Sequence, residues 1–293
     1  MSMRRDGRRQ AGPAFTLPAI LLVAVMLYVP FLWTLFLSFT SYSGLGSPQW
    51  IGLDNYREMF TDTDFLTASI NTGLWVVGTI SLPVGLGLII ALATYSMRSG
   101  TWLRLPFLIP YAVSGVAVGV VWNFFLSTGG ALGQALQFLH LPGAGSRWLV
   151  DAPLATIVMI IAASWQAVGV NSLLFTIGLQ SIPAETIEAA RLDGASHWSL
   201  FKAILWPQMR PLTTVVVGLS LVISLKTFDI VWAMNRGGPG YNSVTLALVM
   251  YKDTFVLSNY GLGAAFAVFL CIVTVIGSVG YIRRQSRKTE APG

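Results

Sequence analysis

Six runs of apolar residues divide the chain, at about 14–39, 68–95, 105–126, 153–180, 211–233 and 261–282. At a rise of about 1.5 Å per residue, runs of roughly 22–28 residues cross a hydrocarbon layer of about 30 Å with some tilt. In lipid they must be helical, because only a helix pairs its backbone groups within one segment. The pattern predicts an all-α membrane protein of about six transmembrane helices, a single domain over 1–293 with no tandem repeat. An even number of crossings puts both termini on one side.

The basic residues choose that side. Thirteen of the eighteen Lys and Arg share it: Arg4, Arg5, Arg8, Arg9, Arg98, Arg104, Arg191, Lys202, Arg210, Arg283, Arg284, Arg287 and Lys288. Four fall opposite (Arg57, Arg147, Arg236 and Lys252), and Lys226 lies within a run. The positive-inside rule predicts a multi-pass protein of the cell (plasma) membrane with both termini cytoplasmic, and with the 41–67 and 234–260 segments outside.

Composition narrows the class. Only 10% of residues are charged, against roughly 25% in soluble domains. A net charge of +6 invites a nucleic-acid reading, but the basic residues flank apolar runs and form no face interleaved with stacking aromatics, so no nucleic-acid partner is expected. The first run continues to Phe39, too long for the apolar part of a secretory signal. Cys271 is the one cysteine, and His140 and His197 have no second ligand nearby. No disulfide, metal site or cofactor is expected, and both histidines fit surface or packing roles.

The inner loop between spans four and five is the most informative stretch. Pro183 can open a helix running to Leu192, Gly194 can supply a permissive turn, and Ser196 can cap a second helix with Trp198, Phe201, Ile204 and Leu205 on one face. Pro207 and Pro211 should break that helix before span five. Ala189 and Ala190 leave the first helix thin, and Glu188 offers a carboxylate. Two readings follow from the pattern: a helix that seats in a groove of another protein, or an interfacial helix that only ties two spans together.

Glu188-Ala189-Ala190, Gly194, Ile204 and Pro207 stand at the spacing EAA-x3-G-x9-I-x-L-P. The loop thereby resembles the EAA signature of ABC-importer permeases, with Trp206 where the family usually has Leu. WIGLDNYREMF at 50–60 with Asn71-Thr72, RLPFLIPYAVSGVAVGVVW at 104–122 and FDIVWAMNRGGPGYNS at 228–243 are similar to sugar-type permeases of the maltose and glycerol-phosphate kind. The resemblance implies a six-helix core with a cytoplasmic coupling-helix loop, pairing with a second permease subunit within membrane lipid. It also implies two cytoplasmic nucleotide-binding ATPase subunits, an extracytoplasmic solute-binding protein, and import of a carbohydrate-like solute by alternating access. The chain itself is expected not to be an enzyme. A phosphate-binding loop needs Gly-Lys followed by Ser or Thr, and the four lysines follow Phe201, Leu225, Tyr251 and Arg287.

Lys226 and Asp229 are the ionisable residues well inside a run, where a charge costs about 2.5–3.5 kcal/mol on insertion scales. Spaced i,i+3, they can neutralise one another, contact solute, or relay a proton. Aromatic and amide side chains can meet a sugar's C–H faces and hydroxyls. Trp165, Gly169 and Ser172 share one face of span four, and Trp122, Asn123, Asn171, Phe228 and Trp232 are further candidates. Each also fits an interfacial anchor or an interhelical hydrogen bond. The alternative function is a self-sufficient secondary transporter or channel, a class that places more ionisable or broken elements at mid-membrane.

Overall fold

A computed structural model describes residues 11–95, 97 and 100–290. Of the basic residues above, Arg4, Arg5, Arg8, Arg9 and Arg98 lie outside the described residues, as do the side chains of Arg287 and Lys288. Six stretches are long and apolar enough to span a bilayer, with nearly no strand among the described residues. The protein is an all-α membrane protein.

The chain forms two compact units. One holds the described residues up to Thr61 with Met250–Phe269. Here α1 (Thr16–Leu37) leads into an antiparallel pair, β1 (Thr40–Ser41) and β2 (Gln49–Trp50), and then α2 (Asp54–Thr61). Asn55 fastens this turn, its Nδ2 donating to the carbonyls of Ser38 and Thr40 at 2.9 Å each. Of the most apolar window of α1 only 6% is buried, so that helix offers its surface to lipid or to another chain.

The second unit, Asp62–Val249 with the residues from Leu270 on, carries the chemistry. In chain order it contains α3 (Thr63–Thr94), α4 (Gly100–Leu108), α5 (Gly115–Leu126), α6 (Ala131–Phe138), α7 (Leu154–Gln180), α8 (Ala184–Leu192), α9 (His197–Leu225), α10 (Asp229–Asn235) and the start of α11 (Leu246–Tyr251), whose last two residues fall in the first unit. The last helix, α12 (Tyr260–Glu290), begins in the first unit and ends in this one. Half of the most apolar window of α7 is buried, making it the centre of the bundle. Packing in lipid relies on close backbone approach at small residues. A Cβ at Gly87 would stand 2.7 Å from Asn171 Cβ, and one at Gly169 would meet the Phe107 carbonyl.

Three expectations change. Span five is not one helix over 211–233: α9 runs through Pro207 and Pro211, stops at Leu225, and a break at 226–228 precedes α10. The prolines do not end the helix because the wide π turn Phe201–Leu205 lies just ahead of them and absorbs the misfit in hydrogen-bond register. Span three is divided. Pro106 and Pro110 end the first piece in a 3-10 turn, Ile109–Ala112, and Ser114 starts α5 afresh, its Oγ accepting from Ala117 N at 3.2 Å. Finally, 234–260 is more than a loop, because Val244 and Leu246–Val249 are buried.

Candidate functional site

The break between α9 and α10 opens onto a cavity of about 380 Å³, walled by α3, α7 and α9 and by residues ahead of α5. Its lining is mostly apolar, with Pro83, Leu174, Val216 and Leu219 among the wall residues. Into it come Trp75, Tyr111, Gln166, Asn171, Lys226, Thr227, Phe228 and Asp229.

Lys226 and Asp229 both reach the cavity but do not form an ion pair with one another. The helix break is the reason. With non-helical backbone at Lys226 (φ −102°, ψ 13°) and Phe228 (φ −134°, ψ −57°), the i,i+3 geometry of a continuous helix is lost. Each charge meets a helix end instead. Lys226 caps the C-terminus of α9, whose dipole favours a cation. Asp229 starts α10 and lies beside Gly115 at the first turn of α5, where a carboxylate is favoured: a Cβ at Gly115 would be 3.8 Å from Asp229 Oδ2.

Two neutral groups are also unpaired. Trp75 is 1% exposed, and its Nε1 has no hydrogen-bond partner. A buried donor without a partner costs about 1–3 kcal/mol, and this one is enclosed by its neighbours rather than open to the cavity. The Asn171 side chain is buried and makes no hydrogen bond within the chain, while the Gln166 amide donates to the Val113 carbonyl at 2.5 Å.

Of the candidates read from sequence, the cavity brings together Asn171, Lys226, Phe228 and Asp229. The remaining five lie off its lining. Asn123 donates its amide to the Met234 carbonyl and so fastens α5 to α10. Ser172 is fully buried and donates to Gly169 O at 2.7 Å. Of the Trp165–Gly169–Ser172 face, Gly169 is covered by the Phe107 carbonyl and Ser172 is buried, while Trp165 stays 46% exposed. Trp122 and Trp165 meet edge to face at 6.1 Å, and Trp232 stacks on Phe228 at 5.9 Å with Arg236 over its other neighbourhood at 5.6 Å. Trp75, Tyr111 and Gln166 were not legible as site residues, since each reads as an interfacial or packing residue within its own apolar run. Among the described residues no three His, Cys, Asp or Glu side chains converge.

At the other end of α9 the loop between spans four and five takes the expected form. Helix α8 opens after Pro183, Gly194 turns the chain at φ +80°, and Ser196 Oγ caps α9 by accepting from Ser199 N at 3.2 Å. Ile187, Leu200, Leu205 and Met209 sink into a core shared with Phe175 and Leu179 of α7, and Ala190, Phe201 and Ile204 pack against it. Glu188 and Ala189 face outward. Trp198 departs from the expected apolar face, being 71% exposed. Pro207 sits in the first turn of the helical stretch after the π turn.

Comparison with known proteins accords with this geometry. Residues 83–288 match the family described as binding-protein-dependent transport system inner membrane component. The multiple sugar-binding transport system permease protein MsmF of Streptococcus mutans is 34% identical over 296 residues, covering 99% of this chain and 100% of that one. The osmoprotective compounds uptake permease protein GgtC of Synechocystis sp. is 33% identical, covering 92% and 97%. A chain of a bacterial ABC transporter involved in import of the acidic polysaccharide alginate superposes with a TM-score of 0.81 at 21% identity, covering 96% of each chain. With a family match over most of its length, the chain belongs to the binding-protein-dependent transport system inner membrane components: it is a multi-pass permease subunit of an ABC importer, and hydrolyses no ATP itself.

Proposed function

We propose that the cavity at the α9–α10 break binds an uncharged, carbohydrate-like solute on its way into the cytoplasm. One observation carries this reading: the cavity offers an open donor in Lys226 and an open acceptor in Asp229, with the unpaired Asn171 amide beside them, on mostly apolar walls. A hydroxyl donates and accepts, so a polyol answers all three groups, while its C–H faces suit Phe228 and Tyr111. A phosphate would satisfy the two donors and be repelled by Asp229. The relatives named for sugar-binding and osmoprotective-compound transport support the same class.

The family and the distribution of basic residues support a reading of the rest of the assembly. Both termini and the α8–α9 loop face the cytoplasm, where Glu188, Ala189 and Gly194 present the docking surface for two nucleotide-binding ATPase subunits. A second permease subunit and lipid cover the exposed apolar helices, and a solute-binding protein delivers solute from outside. Reconstitution tests the function. With its ATPase subunits, second permease and binding protein in proteoliposomes, the chain should support ATP-driven uptake of a neutral sugar, and alone it should support none. ATP turnover by the isolated chain, or sugar uptake without ATP, would refute the reading. For orientation, a Cys at Gly46 should label from outside and one at Ser2 should not.

A further inference from the structure

The chain contains two asparagine clamps of the same design. One is Asn55, described above. The other is Asn71 on α3, whose Nδ2 donates to the carbonyls of Asn242 (3.1 Å) and Val244 (3.0 Å), while its Oδ1 accepts from the Thr156 hydroxyl at 2.9 Å. Thr72 completes it, its Oγ1 accepting from Leu246 N at 3.1 Å. The clamped segment has local hydrogen bonds of its own, Ser243 N to Gly237 O at 3.0 Å among them, but it also carries backbone strain. Arg236, Gly237, Gly238, Gly240 and Tyr241 all have φ between 55° and 90°, a region costly for residues with a Cβ. Ser243 and Val244 are fully buried, and Thr245 is 1% exposed, so their carbonyls have no water to turn to. At its exit the segment touches the solute cavity: Thr245 Oγ1 donates to the Thr227 carbonyl at 2.9 Å, and Thr227 is the cavity-lining residue between Lys226 and Asp229.

We propose that Asn71 and Thr245 are positioning residues for the solute site. Asn71 holds segment 236–245 in its strained path, and Thr245 passes that restraint to the helix break, setting where Lys226 and Asp229 present their charges and so which sugars fit. The proposal rests on the reading of the cavity as the solute site. Two observations set it apart from simple stabilisation: the Thr245 hydrogen bond ends on the break itself, one residue beyond the carbonyl that Asn71 holds, and none of these clamp residues lines the cavity.

The test uses the full transporter. In a Cys271→Ser background, Thr227→Cys is labelled with a small maleimide in membranes, and uptake of radiolabelled glucose, maltose, trehalose and sucrose is measured in parallel. Asn71→Ala and Thr245→Val, the latter nearly isosteric, should each raise the labelling rate and shift the ratio of KM values among the sugars by roughly threefold or more, as loss of a buried hydrogen bond predicts. Thr245→Ser, which keeps the hydroxyl, and Asn55→Ala, which removes the matching clamp elsewhere, should leave both readouts at the parent value. The proposal is overturned if Asn71→Ala and Thr245→Val behave like Asn55→Ala. A fall in Vmax that is equal for every sugar, with labelling unchanged, overturns it as well. If the parent transports none of the sugars, the carbohydrate reading fails, and the labelling arm by itself decides the link from clamp to break.

Discussion

The two ends of α9 are built on opposite principles. At its start, Leu200, Leu205 and Met209 lock the helix into the bundle core while the loop before it leaves Glu188 and Ala189 facing outward. At its end the helix simply stops, and Lys226 and Asp229 stand in a cavity, each supported by a helix terminus and neither paired with the other. The first end is closed inside and open outside, as a docking surface requires. The second keeps polar groups in reserve within an apolar wall, as a transient ligand requires. One helix of 29 residues joins them, about 44 Å at the standard rise. A push at the loop can therefore reach the cavity through a single rigid element whose weak points are the π turn and the terminal break.

The contrast breaks most readily at the loop. Gly194 sits at φ +80° with nothing within 4 Å of an added Cβ, so a substitution there is penalised by backbone strain and by no clash. Gly194→Val should cost about 1–3 kcal/mol in the bound geometry and lower ATP-dependent uptake by about tenfold or more. The protein should still insert, as an immunoblot of washed membranes would show. Normal uptake and normal ATPase pull-down would remove the docking role.

At the cavity, Asp229→Asn keeps the shape and a hydrogen-bonding group but removes the charge. The KM for a neutral sugar should rise about tenfold, in the range of about 1.5–3 kcal/mol for hydrogen bonds to charged groups. ATPase capture by the variant should equal the parent's. Trp75→Phe should have a smaller effect of a different kind. It deletes an enclosed, unpartnered N–H that costs about 1–3 kcal/mol, so the thermal midpoint of the detergent-purified subunit should rise while KM stays within about twofold of the parent. Smallest of all is Trp165→Ala. Trp165 is 46% exposed and lies off the cavity, so sugar KM should stay within about twofold of the parent, less than one lost hydrogen bond predicts.

The loop was legible in sequence because its determinants are local. Pro183, Gly194 and Ser196 act on their own backbone within about four residues, and the structure repeats that order. The cavity was only half legible. Lys226 and Asp229 announce themselves as charges in an apolar run, and Asn171 as an amide. Trp75, Tyr111 and Gln166 come from three separate elements, and their role depends on which way packed helices turn them. Trp165 and Ser172 lie off the cavity lining: Ser172 is buried, and the Phe107 carbonyl lies over Gly169 between them, a contact that no spacing within one helix encodes. The break after Leu225 was missed because 211–233 is predominantly apolar, with scattered hydroxyls and two charges, and hydropathy does not register a change in backbone direction.

The central claim is that the unpaired ends of α9 and α10 select an uncharged polyol. It is tested most directly by competition for uptake in the reconstituted transporter, with neutral sugars against sn-glycerol 3-phosphate, in the parent and in Asp229→Asn. The account predicts that the parent imports at least one neutral sugar and ignores the phosphate ester. It also predicts that Asp229→Asn weakens the sugar and admits measurable inhibition by the phosphate. A parent that imports glycerol 3-phosphate in preference to every sugar, with Asp229→Asn unchanged in both, would contradict it.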